Sequence, residues 1–407
     1  MNKRTPSFVI LTVLISILGL AAGIQKALAP SETIHIWADG SITPTGVPIT
    51  SADNITYLFS EDIDYWFSSM EDPGLVIHKN NIILDGQGHT FAHTGGATYV
   101  TGIALKGVDN VEIRNLTIRD FATAIGLGSS ASNASIHGND IIGSAHQGIA
   151  LWESSRCNTI FDNDIFGGDG IYIESFDNKI FENRIFGCNH AIYLAWSNNN
   201  SVYRNNLGNS HYPNTYAVSM WDSEENEVFE NNVTDNIHGI CLAYCHWNSI
   251  RDNNITSCKY GVYLWGEHTN LGAGNNTITG NFISLNNYGF YLDGTANSNN
   301  TIHHNIIADN NYSAYVDKWL GAGENVWDNG YPSGGNYWSD YTNRYPNATE
   351  IDSSGIGNTP YVVDSSNVDH YPLMNSIPEF PSFLFLPLLM GATLLAIVVC
   401  RKKARAR

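Results

Sequence analysis

Between residues 75 and 330 the chain runs in short apolar-alternating stretches, broken at near-regular intervals by Asn- and Gly-rich corners that leave no room for a helix. Asn158-Thr-Ile160-Phe-Asp-Asn163-Asp-Ile165, followed by Gly170-Ile-Tyr-Ile173, returns as Asn178-Lys-Ile180-Phe-Glu-Asn183-Arg-Ile185 with Ala191-Ile-Tyr-Leu194. It opens again at Asn200-Ser-Val202-Tyr-Arg-Asn205-Asn-Leu207. The first Asn of each copy stands at Asn110, Asn133, Asn158, Asn178, Asn200, Asn226, Asn248, Asn276 and Asn300, with a worn copy at Asn325. Successive copies lie between 20 residues (Asn158 to Asn178) and 28 residues (Asn248 to Asn276) apart. A period of that size stacks as a solenoid. Strand side chains alternate, so Ile149 and Leu151 point one way and Ala150 the other. Stacking then predicts a dry interior of Ile, Leu and Val ladders. The second Asn of each copy (Asn139, Asn163, Asn183, Asn205, Asn231, Asn253, Asn281, Asn305) is expected at a corner. There a short amide tolerates left-handed backbone and bonds to its counterpart one coil away. The predicted fold is all-β, a single-stranded parallel β-helix of about ten coils spanning residues 75–330.

Residues 30–74 lack the repeat. Ile34-His-Ile36-Trp-Ala-Asp-Gly40 and the aromatic stretch from Tyr57 to Trp66 are expected to cap the first coil, because a solenoid end exposes strand edges and core. The first coil is expected at Leu75-Val-Ile77 and Asn81-Ile-Ile-Leu-Asp85-Gly86-Gln-Gly88-His89. After Asn325 the repeat decays into Gly334-Gly-Asn-Tyr-Trp-Ser-Asp-Tyr341, Gly355-Ile-Gly-Asn-Thr-Pro-Tyr361 and Asp369-His-Tyr-Pro-Leu-Met374, and residues 331–376 are expected to form a lid on the last coil. The opening coil and these three blocks, in this order, resemble NosD-type proteins, and the repeats are similar to the carbohydrate-binding and sugar-hydrolase β-helices. The resemblance implies a right-handed coil, in keeping with the general bias of parallel crossovers. It also implies a link to copper delivery, for which no ligand is carried over. Asp352-Ser353-Ser354 replaces the family's Asp-rich turn, and Asn358 stands where Asp is common, so no cation is assigned there.

The two ends set the expected location. Residues 1–29 carry Lys3 and Arg4, an apolar run from Phe8 to Leu20 and small residues after it, the layout of a signal peptide. Residues 377–407 hold Pro378-Glu379-Phe380, an apolar run from Phe383 to Cys400 and a basic tail, enough for one membrane crossing with the C-terminus inside. This end resembles archaeal Pro-Glu-Phe sorting signals; a plain transmembrane tail gives the same topology. The expectation is a body exported to the outer face of a membrane, with hydrophobic helices at either terminus.

The formal net charge is −19. Eight of the 20 basic residues and one of the 39 acids, Glu379, sit in the terminal segments, so the body keeps 20 − 8 = 12 bases against 39 − 1 = 38 acids, about −26. Such a surface repels phosphate backbones and excludes nucleic acid as a partner. Six Cys at irregular spacing form no disulfide or zinc framework. Sequons recur at Asn54, Asn115, Asn133, Asn199, Asn232, Asn254, Asn275, Asn299, Asn311 and Asn347, in a chain rich enough in Asn to produce many by chance.

Outward positions of the second run carry the candidate chemistry. Tyr172, Tyr193, Tyr263 and Tyr291 fall in one column, with Ala150, Ser219 and Cys241 between them. Trp152, Trp221 and Trp265 fall in the next, among Glu174, Ala195, Ala243 and Asp293. Coils about 4.8 Å apart would make these one aromatic and acidic face, with rings for sugar faces and carboxylates for hydroxyls. Mutual stacking that merely stabilises the sheet is the plainer alternative, and exposed ring faces would favour a ligand. A second stripe, Phe161, Phe181, Tyr203 and Phe229, is expected beneath a terminal segment or partner.

For catalysis, Asp169 and His190 share a column on adjacent coils and could divide acid–base work on a glycosidic bond. Polygalacturonase-type β-helices place Asp and His similarly, but Gly168 stands where that family has its second Asp, and glycoside cleavage takes two carboxylates. For metals, His238, Cys241, Cys245 and His246 come close in sequence, though only a sharp corner at Tyr244 would converge the thiols, and His303-His304 would face opposite ways. No cofactor or metal ligand is assigned, with Ca²⁺ and Cu open. The commitment is an exported glycan-binding β-helix, not a catalyst. The alternatives are a polysaccharide-cleaving enzyme, a copper-handling accessory and a structural surface-layer component; the oligomeric state is unassigned.

Overall fold

The computed structural model describes residues 32–66, 72–94, 99–152, 154–208, 215–266, 272–294, 297–317 and 323–376. The expected signal peptide, sorting motif and terminal hydrophobic helices lie outside these residues. Among the described residues no helix is long and apolar enough to cross a membrane.

Three sheets of 13, 12 and 12 strands run the length of the chain, and each coil contributes one strand to each sheet. Sheet A runs from the strand Ile34–Ile36 to Tyr312–Val316, sheet B from Thr56–Phe59 to Thr301–His303, and sheet C from Ile63–Tyr65 to Tyr337–Trp338. Equivalent letters stand above one another: Ile149 pairs with Ile171, Ile171 with Ile192, and Ile192 with Val218. The inward residues, Ile160, Ile180, Val202 and Val228 among them, are fully buried. The predicted parallel β-helix is the observed fold.

The solenoid begins a coil earlier than expected. Ile34–Ile36 lies parallel to Leu75–Ile77, Thr56–Phe59 to Ile82–Asp85 and Ile63–Tyr65 to Thr90–His93, so much of 30–74 is itself a coil. The capping is done by two short antiparallel strands, Ile42–Thr43 on sheet A and Ile49–Thr50 on sheet B, which blunt the open edges. At the far end Tyr337–Trp338 extends sheet C, and Trp327, Trp338, Tyr341 and Tyr361 are buried there as a plug.

Asparagine ladders hold the corners. Asn139, Asn163, Asn183, Asn205, Asn231, Asn253, Asn281, Asn305 and Asn336 form one at the B–C corner, each Nδ2 donating to the Oδ1 of the next at 2.9–3.0 Å. Asn158 to Asn367 form another at the A–B corner. The left-handed residue is not the ladder Asn but the one before it: Asp162, Glu182, Arg204, Glu230 and Asp252 have φ of 53–57°. This corrects the expected corner chemistry. It also moves Asn133 out of the ladder, because Ala134 holds the seat below Asn158 and Asn133 takes the left-handed place at φ 52°. The sequon asparagines all stand outside the buried ladders, since a ladder Asn is followed two residues later by a buried side chain that is neither Ser nor Thr.

Candidate functional site: the outer face of sheet A

Past the first two coils, chain length varies only where it borders sheet A. From the coil of Val111–Arg114 to that of Ile306–Ala308, two residues join sheet B to sheet C every time, as Asp162-Asn163 do. The corners on either side of sheet A range from two residues (Gly167-Gly168) to eleven (266–276). Tight, constant corners are scaffold; connections free to change length are where recognition is usually built.

Three outward columns run up sheet A. The first joins Gln147, Asp169, His190, Tyr216, His238, Tyr260, Tyr288 and Tyr312. From His190 upward the rings stack face to face, with centroids 4.2–5.4 Å apart and planes within 16°. His238, between Tyr216 and Tyr260, is buried, and burial pushes its pKa down to about 4. It is therefore a neutral ring at physiological pH, with Nδ1 3.3 Å from the Thr215 carbonyl.

The second column brings Ala150, Tyr172, Tyr193, Ser219, Cys241, Tyr263 and Tyr291 into register as expected, and Tyr315 extends it. In the third, Ala195, Trp221, Ala243, Trp265 and Asp293 pair in order. Trp221 and Trp265 lean together across the small Ala243, with centroids 5.2 Å apart, and Tyr244 packs edge-on against both. Trp152 lies over Gly126, where a methyl group would meet its ring at 2.6 Å.

The tyrosine hydroxyls are tied to carboxylates. Tyr172 donates to Glu174 at 3.0 Å, Tyr263 to Asp293 at 2.9 Å and Tyr291 to Asp317 at 3.0 Å. Burial, with the neighbouring carboxylate adding to it, raises the pKa of all three phenols. Many ring faces in these columns cover one another, and apart from the exposed Tyr312 the tryptophans and tyrosines are half-buried. What the face offers along much of its length is ring edges alternating with hydroxyl–carboxylate pairs, both able to take sugar hydroxyls. Tyr312, Tyr315 and Asp317 belong to this face and escape sequence reading, because Tyr312-Ser-Ala-Tyr315 has lost the glycine that marks the run.

Asp169 and His190 do meet: His190 Nδ1 lies 3.0 Å from Asp169 Oδ1, and the His190 backbone N–H reaches the same oxygen at 3.3 Å. The imidazole is clamped between Tyr193 and Tyr216. A carboxylate on Nδ1 leaves Nε2 as the nitrogen for proton exchange. The column supplies no second carboxylate beside the pair: Gln147 precedes Asp169 and Tyr216 follows His190.

Among the described residues no cluster of three or more metal donors (His, Cys, Asp or Glu) is assembled for copper. Two imidazole pairs converge, His35 with His78 at 3.1 Å and His303 with His304 at 3.0 Å, and each stops at two donors. The second pair corrects the expectation that these histidines diverge, since His304 adopts a φ of 56° and swings back. The corner at Tyr244 exists, with a φ of 57°, but it turns Cys245 into the interior, on the Ala243 carbonyl, while Cys241 stays on the outer side of the sheet. Burial pushes the Cys245 thiol up to about 12. The buried Cys188 and Cys258 sit at the C–A corner with their thiols on backbone carbonyls, as packing rather than chemistry.

The family model described as periplasmic copper-binding protein (NosD) matches residues 66–214 and 208–343. Among solved structures, the A-module of the mannuronan C-5 epimerase AlgE4 of Azotobacter vinelandii superposes with a TM-score of 0.52 at 12% identity, covering 71% of this chain and 87% of that one. A mutant of the periplasmic alginate epimerase AlgG gives 0.44 at 14% identity over 60% and 76%. The DFA-IIIase of Arthrobacter chlorophenolicus A6 gives 0.38 at 16% over 64% and 70%. The likeness to the first is one of fold alone. No curated protein matches the sequence.

Proposed function

The chain belongs to the NosD family of parallel β-helix proteins, and from that premise we propose that it binds an extended glycan along the outer face of sheet A without cleaving it. Its place of work in this reading is the outer face of a membrane, reached by the N-terminal leader and kept by the C-terminal segment. The observation that carries the reading is the continuity of the three columns. From Trp152 to Asp317 they pass through eight coils in register, roughly 34 Å at about 4.8 Å per coil. A groove for a small molecule needs no such length. A polymer does.

The contacts would be Trp152, Tyr172, Glu174, Tyr193, Trp221, Tyr263, Trp265, Tyr291 and Asp293, the residues that present ring edges and carboxylates outward. Asp169 and His190 favour a second reading, proton transfer to a bound sugar by an oriented imidazole. The single carboxylate beside it speaks against glycoside hydrolysis. The intact protein is expected to be retained by at least one polysaccharide in affinity electrophoresis, and a Trp221→Ala/Trp265→Ala variant with unchanged circular dichroism to lose tenfold or more of that retention. Retention untouched by the double substitution would exclude this face. Reducing-sugar release that vanishes in Asp169→Asn would replace binding with catalysis.

A further inference from the structure

Resting on that reading, we infer that the glycan taken by sheet A is uncharged, and that the face is built to turn polyuronates away. The evidence is where the charges stand. Outward on sheet A, in the coils between Trp152 and Tyr315, are Asp169 and Glu174, and Asp293 at the upper end, with Asp317 beside it. Among the described residues the cation on this stretch is Lys259, whose ammonium lies over the Tyr260 ring at 4.9 Å.

Most guanidinium groups are elsewhere and engaged; the exposed Arg156 stands at the A–B corner of the Trp152 coil, at the edge of this face, and the exposed Arg119 on sheet C. Arg114 on sheet B bonds Asp85 at 2.9 Å and Glu112 at 2.6 Å. Arg184 on sheet C faces Asp164 at 3.7 Å, and Arg204 at the B–C corner bonds Glu230 at 2.7 Å. Arg251 at the end of its sheet B strand meets Asp252 at 3.1 Å and covers Phe229. A carboxylated sugar chain is recognised by paired guanidinium or ammonium donors aimed at each carboxylate. Sheet A aims carboxylates instead, on a body of net charge about −26 (12 bases against 38 acids).

Uronate units lying at either end of the face would meet like charge, at Asp169 and Glu174 or at Asp293 and Asp317, and the two repulsions would add along the polymer. A neutral chain meets only acceptors and phenols, which its hydroxyls satisfy. Glu174, Asp293 and Asp317 already hold tyrosine hydroxyls in fixed orientation, so they accept from sugar hydroxyls through remaining lone pairs without reorganising.

The test is affinity electrophoresis of the intact protein in gels carrying a neutral β-glucan, a neutral mannan, alginate or polygalacturonate, at low and at physiological salt, with and without Ca²⁺. The expected result is retention by at least one neutral polymer that changes less than about twofold with salt, since no ion pair is screened. Alginate and polygalacturonate should leave mobility unchanged in every condition. Retention by a polyuronate equal to or greater than that by the neutral polymers overturns the inference while leaving glycan binding in place. Retention by a polyuronate only when Ca²⁺ is added overturns it as well, because the carboxylates would then be cation ligands. No retention by any of the polymers removes the binding reading itself, and this inference with it.

Discussion

At the scale of single residues, the inward asparagine is the most heavily used group in the molecule. Asn205 donates from Nδ2 to the carbonyls of Ile180 and Tyr203 and to Asn231 Oδ1, and its backbone N–H donates to Asn231 Oδ1. Its own Oδ1 accepts from the backbone and side-chain N–H groups of Asn183. Cutting it to alanine strands several buried backbone groups at once, a loss of about 3–5 kcal/mol by ordinary costs of unsatisfied polar atoms. Asn206, one residue on, is exposed, and Asn206→Ala should cost under about 1 kcal/mol. Thermal melting of the two variants side by side is expected to show a large drop for the first and almost none for the second. Sequence predicts the ladder because amides recur in one column. It does not predict the left-handed seat just before each ladder Asn, since Cys157, Glu182, Arg204 and Trp247 carry no turn signature. The stacked neighbour imposes that conformation: in every coil the seat's backbone geometry is copied from the coil below. His303 and His304 mislead for the same reason, since strict alternation ends at a left-handed residue.

At the scale of elements, sheet B has an outer ladder of its own beside that of sheet A. On sheet B, His137, Phe161, Phe181, Tyr203 and Phe229 stack at 4.6–5.0 Å with planes within 15°, and Arg251 closes the row over Phe229 at 4.1 Å. These rings cover one another's faces; the terminal segments expected to lie over the stripe are outside the described residues. A ring stacked on both faces loses two aromatic partners when removed. Phe181→Ala should therefore cost about 2–3 kcal/mol, more than Phe166→Ala on sheet C, where the ring is 57% exposed. A lower denaturation midpoint for Phe166→Ala than for Phe181→Ala would count against ring stacking as the source of sheet B's stability. The same comparison explains why columns were legible and function was not. Register follows from the repeat alone, so which residues share a column can be read from the sequence. Whether a ring shows its face or its edge depends on the tilt of its neighbours, and no periodicity encodes tilt.

At the scale of the whole molecule, a solenoid touches itself only coil to coil, so distant coils open independently. Two buried groups test this with opposite signs. His238 has its pKa lowered to about 4, so the unfolded coil binds a proton more readily than the folded one below about pH 6.5. Its contribution is present at neutral pH and is lost as pH falls toward 4, on the order of 3 kcal/mol. Asp369 lies in the C-terminal plug, where burial pushes its carboxyl up to about 7 against the pull of N–H donors from Asn336, Trp338 and Tyr371. A raised carboxyl favours the folded state while protonated, so this contribution is present below about pH 4 and is lost as pH rises toward 7. In a cooperative globule the two would largely cancel in one melting curve. Here amide exchange, corrected for its intrinsic pH dependence, should show residues 238–243 loosening on acidification while residues 336–341 and 367–373 tighten. In His238→Phe the first change should disappear and the second persist. Both regions moving together, in either direction, would mean that the coils unfold as one unit and that the plug reports on the entire stack.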